Sequence, residues 1–179
     1  IPRRVSLPVI RQSAVISYER CVRFGLLSSQ FGLRGKSRSR ALDMGSYAHL
    51  MLKCLASAWL EKRDDGLNVG MSSCLAGYDA ILSQASDASP EWLDDRRTDV
   101  NVGVAMGLYV WERELRPRLQ TGVFTIVSSE LPVSCRLKVG RTPFRFKGQI
   151  DLVVRDKQDR LWILDLKTAK VGEEMDEWR

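Results

Sequence analysis

The segment GQIDLVVRDKQDRLWILDLKT, residues 148–168, constrains the fold of this 179-residue chain more than any other stretch. Two apolar runs flank the polar loop DKQDR, which is the pattern of an antiparallel strand pair. A hairpin that is symmetric about Gln158 places Asp151 directly across from Asp165. Since side chains alternate along a strand, a slip of one residue would move charged residues into the core. The pattern and the loop length therefore predict one register.

In that register the two faces of the hairpin differ in chemistry. The predicted core face consists of large apolar side chains: Phe144, Phe146, Ile150, Leu152, Val154, Trp162, Leu164 and Leu166. The opposite face is polar at one end (Lys147, Gln149, Asp151, Asp165 and Lys167) and apolar towards the turn (Val153, Leu161 and Ile163). Such a face resembles the floor of a pocket. A solvated sheet face with an Asp–Lys ladder is the alternative interpretation.

The polar end of this face favours chemistry on phosphate. Two carboxylates directly opposite each other repel unless positive charge lies between them. Lys167 supplies part of that charge, and a divalent metal supplies more. A small number of hard oxygen ligands suits Mg²⁺ or Mn²⁺, which keep several waters and engage substrate phosphates. We therefore predict metal-assisted phosphoester cleavage at Asp151 and Asp165.

Apolar periodicity predicts helices before the hairpin and more strands next to it. The predicted helices cover residues 13–28, 41–61, 73–84 and 100–119, with polar breaks at 64–70 and 85–95. Their apolar positions include Leu42, Leu52, Leu55 and Trp59 in the second helix and Val104, Leu108, Trp111 and Leu115 in the last. Gly103 and Gly107 should allow a neighbouring element to approach closely. The predicted strands are 123–128, 131–138, 144–154 and 161–167, and a helix-like segment starts in EEMDEWR. This order predicts an α/β fold, a mixed central β-sheet flanked by helices.

Composition limits the class of protein. The length and the 44% hydrophobic content fit a single domain over residues 1–179, and no apolar run approaches the roughly 18 residues that a membrane span needs. We expect no membrane association. The four cysteines form no CxxC motif, which favours free thiols in a reducing, intracellular compartment. Residues 1–40 hold nine Arg and Lys against the single acid Glu19, so this basic segment can follow a phosphate backbone, although a solvated arm is the alternative.

The segments GQIDLVV and LWILDLKT resemble the catalytic hairpin of the PD-(D/E)XK nucleases, in the branch of the RecB-type exonuclease domains. MGSYAHLMLK supplies a further signature of that branch, with Gly45 followed four residues later by His49, the only histidine in the chain. The resemblance implies a restriction-endonuclease-like core. It also implies a metal held by His49, Asp151, Asp165 and the backbone carbonyl of Leu166. Lys167 would orient the attacking water or stabilise charge that develops on the phosphate.

Other parts of the chain resemble the family less closely. Glu130 matches a glutamate on the strand before the hairpin, where it would support the site, and Gly45 would leave space beside the imidazole. Cys21 matches a cysteine that one sub-branch uses in an iron–sulfur cluster, but Val22 replaces the usual proline. In the relatives, the three partner cysteines and a helix that carries a Gln and a Tyr would follow the position of Arg179. The sequence therefore leaves open whether an iron–sulfur cluster is bound, and we expect the domain to be truncated at Arg179.

These observations predict a Mg²⁺- or Mn²⁺-dependent DNA nuclease, most simply an exonuclease of DNA repair, recombination or processing. The expected partners are DNA and a helicase or other repair subunit. The residues expected to bind nucleic acid are Arg34, Lys36, Arg38, Arg40, Lys147 and Gln149. The alternative is a catalytically silent binding or scaffold domain of a larger helicase–nuclease or repair assembly. A third reading, an acid–base hydrolase of small molecules, lacks any pocket signal in the sequence.

Overall fold

The computed structural model of the chain describes residues 9–11, 40–83 and 89–167. Its helical elements are α1 (Arg40–Leu60), α2 (Gly66–Leu82), α3 (Pro90–Val110), a π-helical turn (Trp111–Leu115) and α4 (Arg116–Gln120). Its strands are β1 (Val9–Arg11), β2 (Phe124–Val139), β3 (Thr142–Asp156) and β4 (Leu161–Leu164). The predicted α/β class is confirmed. The helical segments expected at 13–28 and in EEMDEWR lie outside the described residues.

The predicted helix over 41–61 is confirmed as α1, but the next two helices begin earlier than expected. α2 starts at Gly66, so the polar stretch 64–70 is mostly helical. α3 starts at Pro90, inside the stretch expected to be a break, because Ser89 caps it. The Ser89 Oγ accepts a hydrogen bond from the Trp92 N–H at 3.2 Å, and proline fits the first helical turn.

Helix α1 packs closely against α3 because two glycines of α3 face it. A Cβ on Gly103 would lie 2.5 Å from the carbonyl oxygen of Met44, and one on Gly107 would lie 2.7 Å from the carbonyl oxygen of Ala48. A side chain at either position would collide with backbone of α1, which cannot move aside cheaply. The predicted role of these two glycines is confirmed.

A buried group of charged residues also joins α1 to α3. Arg96 pairs with Asp43, and Arg40 donates to Asp99 at 2.9 Å through Nε and reaches Asp95 at 2.8 Å through Nη1. Asp99 is fully buried, and Asp43 and Arg96 are nearly so. Buried charges are tolerated only when they are paired, so this group fixes the start of the helix that carries the only histidine.

The helices and the nearest strand segments share one apolar core. Its members include Tyr47, Met51, Leu52, Leu55, Cys74, Val100, Val104, Trp111, Leu115, Leu119, Ile126, Leu152 and Val154. Two of the apolar positions of α1 lie outside this core, since Leu42 is 65% exposed and Trp59 lies at the surface in a T-shaped contact with Trp111. Core membership therefore follows the face of α1 that meets α3.

The sheet has the strand order β1-β3-β2, with β4 also paired to β3. β1 runs parallel to β3, and β4 runs antiparallel to it, which makes the sheet mixed as expected. The β3–β4 pairs run from Leu152 opposite Leu164 to Arg155 opposite Leu161. This is the predicted hairpin register, and the strand β4 ends one residue before Asp165.

Two strand-level expectations are wrong. The segments 123–128 and 131–138 form the single strand β2, in which Glu130 adopts a left-handed φ of 55°. Trp162 was expected in the core but is half-exposed, since its Nε1 donates to Asp156 Oδ2 at 2.9 Å near the turn. Val153, on the other face, is buried. Towards the turn, therefore, the predicted core face of the hairpin is no longer the buried one.

By its contacts the chain divides into two compact units. One contains residues 1–37 and 131–150, and in its described part it consists of β1 and the distal part of the β2–β3 hairpin. The other contains residues 38–130 and 151–179, including the helices and β4. In the part of the chain that the structure describes, no helix is long and apolar enough to cross a membrane.

Candidate active site

The helical unit brings His49 of α1 beside Asp151 of β3. The Nδ1 atom of His49 lies 3.2 Å from Asp151 Oδ2, and both side chains are partly buried. Gly45 precedes His49 by one turn and is itself buried. Residues four apart share one face of a helix, so the glycine keeps that face free of a side chain beside the imidazole.

Asp151 is also held from the other strand of the hairpin. Its Oδ2 accepts a hydrogen bond from the backbone N–H of Leu166 at 3.0 Å. Leu166 lies just beyond the end of β4, where the strand ladder has stopped. One carboxylate oxygen therefore ties together α1, β3 and the segment after β4, and this fixes the orientation of the acid.

The second acid of the hairpin, Asp165, pairs with a lysine. Lys167 Nζ lies 2.6 Å from Asp165 Oδ2, and both side chains are largely exposed. Burial raises the pKa of Asp165, but hydrogen bonds with Lys167 and Asp151 and the charges of Lys167 and His49 outweigh it and lower the pKa below the ordinary 3.8. Asp165 is therefore ionised at neutral pH.

A cavity of about 380 Å³ opens next to this pair of acids. Its lining residues are Leu52, Val110, Glu114, Leu115, Arg118, Phe124, Asp151, Leu152, Leu164, Asp165 and Leu166. The wall is mostly apolar, and the charged groups are the two acids of the hairpin and the pair Glu114 and Arg118. Pockets of this size with few polar groups are typical of small-ligand and nucleotide-sized sites.

The side chains around Asp151 offer few of the ligands that a divalent ion requires. Within residues 9–11, 40–83 and 89–167, no three His, Cys, Asp or Glu side chains are arranged to hold a metal ion. Mg²⁺, however, binds through one or two carboxylates and keeps several waters. Asp151 and Asp165 supply two carboxylates to the wall of one cavity. The chemistry of this pair fits a hard divalent cation.

Comparison with protein families decides the assignment. Residues 11–178 match the PD-(D/E)XK nuclease superfamily, which covers nearly the whole chain and includes α1, the hairpin and the DLK triplet. The chain belongs to the PD-(D/E)XK nuclease superfamily. Members of this superfamily are generally nucleases and typically use divalent metals. A comparison with curated proteins found no match.

The other residues expected from the PD-(D/E)XK resemblance are spread along the chain. Glu130 is partly buried at the left-handed position of β2. Lys147 and Gln149 are exposed on β3. Arg40 starts α1, where it reaches Asp95 and Asp99 and so helps to join α1 to α3. Arg34, Lys36, Arg38 and Cys21 lie outside the described residues.

Two residues that line the cavity beside Asp151 were missed by the sequence interpretation. Glu114 lies in the π-helical turn, and Arg118 in α4 donates to both its carboxylate and its backbone oxygen. In sequence they form an ordinary Glu–Arg pair four residues apart, which usually lies in solvent. Only the fold shows that both line the cavity next to Asp151. A π-helical turn is a weak signal for a functional site, and no residue pattern in the sequence predicts this one.

Proposed function

We propose that this chain is a metal-dependent deoxyribonuclease that hydrolyses phosphodiester bonds as an exonuclease. The observation that carries the proposal is the contact of His49 with Asp151, at 3.2 Å, beside the Asp165–Lys167 pair. We place the chain in the RecB-type branch because Gly45 and His49 supply the signature of that branch on α1. Its work would lie in DNA repair, recombination or processing, with a helicase or other repair subunit as a partner.

The metal donors we assign are His49, Asp151, Asp165 and the backbone carbonyl of Leu166. Without an ion the three side chains are not arranged to hold one, and His49 contacts Asp151 instead, so these donors would come together only when the metal binds. Mg²⁺ is the ion we assign, with Mn²⁺ as the substitute, because the side-chain donors are mainly carboxylates. When bound, such an ion neutralises charge on the phosphate and lowers the pKa of water. The protein contributes a fixed geometry: Asp151 is oriented by the Leu166 N–H and by His49.

Lys167 is assigned to the charge that develops on the scissile phosphate. Its ammonium pairs with Asp165 and is largely exposed, so it can reach a phosphate bound at the same edge. A preorganised cation at a developing oxyanion lowers the barrier more than a cation that must be recruited from solvent. The apolar cavity next to both acids would take the nucleotide at the cleaved bond, with Phe124 as a surface for the base and Arg118 near its phosphate.

A catalytically silent scaffold remains the second candidate. The Asp165 and Lys167 side chains already neutralise each other, which a purely structural surface pair would also do. What favours an enzyme is that both acids and the lysine of the DLK triplet are present together with His49. Each of these groups has a separate chemical role, whereas a binding module needs none of them.

The test uses one duplex DNA sequence in a linear, end-labelled form and in a covalently closed circular form. In Mg²⁺ we expect release of label from the linear form and no nicking of the circle. Nicking of the circle would make the enzyme an endonuclease and overturn the exonuclease assignment. In Ca²⁺ we expect binding without cleavage. DNA binding with no cleavage in either Mg²⁺ or Mn²⁺ would favour the scaffold.

A further inference from the structure

The distal part of the β2–β3 hairpin, residues 131–150, carries positive charge only. We call this segment the basic ribbon. It contains five cations and no Asp or Glu: Arg136, Lys138, Arg141, Arg145 and Lys147. All five side chains are exposed. Among the residues that the structure describes, none of them is paired with a carboxylate. No carboxylate of the described residues therefore neutralises these charges.

The register of the basic ribbon follows from its turn and from one contact. β2 ends at Val139 and β3 begins at Thr142, so two residues form the turn, and Gly140 adopts the left-handed φ of 58° that such turns favour. A Cβ on Gly148 would lie 3.4 Å from Val133 Cγ2. Both observations pair position 133 with position 148 and, by the same count, Arg136 with Arg145.

In this register the basic ribbon has two chemically distinct faces. Alternation places polar and basic residues on one face: Ser134, Arg136, Lys138, Arg145, Lys147 and Gln149. The apolar residues fall on the other: Leu131, Val133, Leu137, Phe144, Phe146 and Ile150. The cations thus form one continuous surface.

Strand β1 extends the basic face of the ribbon. Its residues pair in parallel with β3, with Val9 opposite Arg145 and Arg11 opposite Lys147. Arg11 is exposed, and partners in a parallel ladder project to the same side of a sheet. β1 and the basic ribbon belong to one compact unit. A single three-stranded segment therefore holds Arg11 and the four cations of the ribbon's basic face, which are Arg136, Lys138, Arg145 and Lys147.

This arrangement costs stability unless an anion meets it. Like charges directly opposite each other on a sheet are destabilising, and Arg136 faces Arg145 with no described carboxylate between them. A solvated surface usually intersperses both signs of charge. Side chains on one face of a strand repeat about every 7 Å, so these cations form a regularly spaced row of positive charge. Such a row is complementary to a polyanion.

We propose that the basic ribbon binds duplex DNA, with the face of Arg136, Lys138, Arg145 and Lys147 against the phosphates that border the major groove. Between its turn and the pairing of Val9 with Arg145, the described part of the ribbon has two strands, and a two-stranded β-ribbon fits the major groove of B-form DNA. The deep, narrow major groove of A-form RNA does not admit it. The inference rests on the proposed function in one respect only, that the substrate of the chain is DNA.

The experiment measures equilibrium binding to a 20-base-pair duplex in EDTA, so that no cleavage intervenes. The reversal Arg136→Glu with Arg145→Glu should weaken duplex binding by about tenfold or more at 0.1 M salt, because two phosphate contacts become repulsive. The slope of log affinity against log salt concentration should fall by about 2, since each contact contributes about 0.9. The matched control is Arg97→Glu with Lys157→Glu, which removes the same charge from exposed sites outside the ribbon. This control should bind as the wild type.

Four results would overturn the proposal. The first three are an unchanged affinity of the ribbon variant, an equal loss in the control variant, and equal wild-type binding to duplex RNA of the same sequence. The fourth is a ribbon variant that loses binding to polyglutamate as strongly as binding to DNA, which would assign the surface to an acidic protein instead. Because the assay runs in EDTA, its outcome does not depend on nuclease activity. If the wild type is an active nuclease and the ribbon variant still binds DNA normally, the ribbon proposal is rejected and the proposed function is not affected.

A single substitution separates folding from binding. Arg136→Glu turns the repulsive pair with Arg145 into an attractive one, so the melting temperature should not fall and DNA binding should still weaken. If the ribbon plays no part in binding, Arg136→Glu should keep the melting temperature from falling but should leave the DNA affinity unchanged. A variant that melts earlier than the wild type would contradict the inferred register.

Discussion

Lys167 Nζ lies 2.6 Å from Asp165 Oδ2, so the lysine already neutralises the acid that a divalent metal would also use. Under the proposed function, the Lys167 ammonium would exchange its contact with Asp165 for one with a phosphate when that carboxylate holds a metal. This relationship makes Lys167 the residue at which metal binding and catalysis can be separated.

Replacing Lys167 by Ala should lower the single-turnover cleavage rate by about 10²–10³, the usual cost of losing one donor at a developing oxyanion. Mn²⁺ affinity, measured by electron paramagnetic resonance, should stay equal or increase because the competing cation is gone. The matched control is Lys157→Ala in the exposed turn between β3 and β4, which should cleave normally. Cleavage by Lys167→Ala at the wild-type rate would show that the assigned role is wrong.

His49→Ala tests the contact with Asp151. Loss of the imidazole removes a donor and a group that orients the acid, so Mn²⁺ affinity should fall by about 10–100-fold. Ser46→Ala on the same helix is the control, since its Oγ only donates to the carbonyl of Leu42 at 2.8 Å. If titration with Mn²⁺ gives the same affinity for His49→Ala as for the wild type, the histidine is structural.

Two glycines that look alike in sequence should respond oppositely to alanine. Gly107→Ala places a Cβ 2.7 Å from the Ala48 carbonyl oxygen and should destabilise the fold by about 1–3 kcal/mol. Gly77→Ala in α2 meets only Tyr47 Cε1 at 3.5 Å, an ordinary contact, and should stabilise by about 0.5–1 kcal/mol. Urea unfolding of both variants measures the difference, and equal effects would contradict the close approach of α1 and α3.

The cysteines should differ sharply in reactivity. Burial, with a smaller contribution from Cys54, raises the pKa of the Cys74 thiol to about 11, so almost no thiolate exists at neutral pH. Cys135 is free and exposed. In folded protein at pH 8, iodoacetamide should therefore modify Cys135 and leave Cys74 intact, as peptide mass spectrometry would show. Labelling of Cys74 at the rate of Cys135 would mean that α2 opens readily.

The hairpin register was predictable because two independent signals agree. The odd-numbered loop and the alternation of apolar residues both pair position 152 with 164, and the structure has that pair. The position of His49 next to Asp151 was not available from periodicity, since α1 and β3 are about a hundred residues apart in the chain. There the resemblance to a nuclease family supplied the expectation.

The misplaced start of α2 has a physical cause. The stretch 64–70 predicts a break between helices, yet two of its residues, Gly66 and Gly70, are buried at the contact with α1. A Cβ on Gly66 would lie 2.7 Å from Ala58 Cβ, and one on Gly70 would lie 2.5 Å from Met51 Sδ. Packing therefore requires glycine at positions where intrinsic propensity disfavours a helix. Sequence propensity is equally unable to predict that Glu114 and Arg118 line the cavity, because their position there depends on tertiary contacts.

The most direct test of the account is single-turnover cleavage of labelled linear duplex DNA by the wild type and by Asp165→Asn. We expect cleavage by the wild type in Mg²⁺, its complete loss in EDTA, and a rate for Asp165→Asn that is lower by about 10³ or more, because one substitution removes both a metal donor and the partner of Lys167. Circular dichroism should show that the variant is folded. Cleavage by Asp165→Asn at the wild-type rate, or wild-type cleavage that persists in EDTA, would contradict the account.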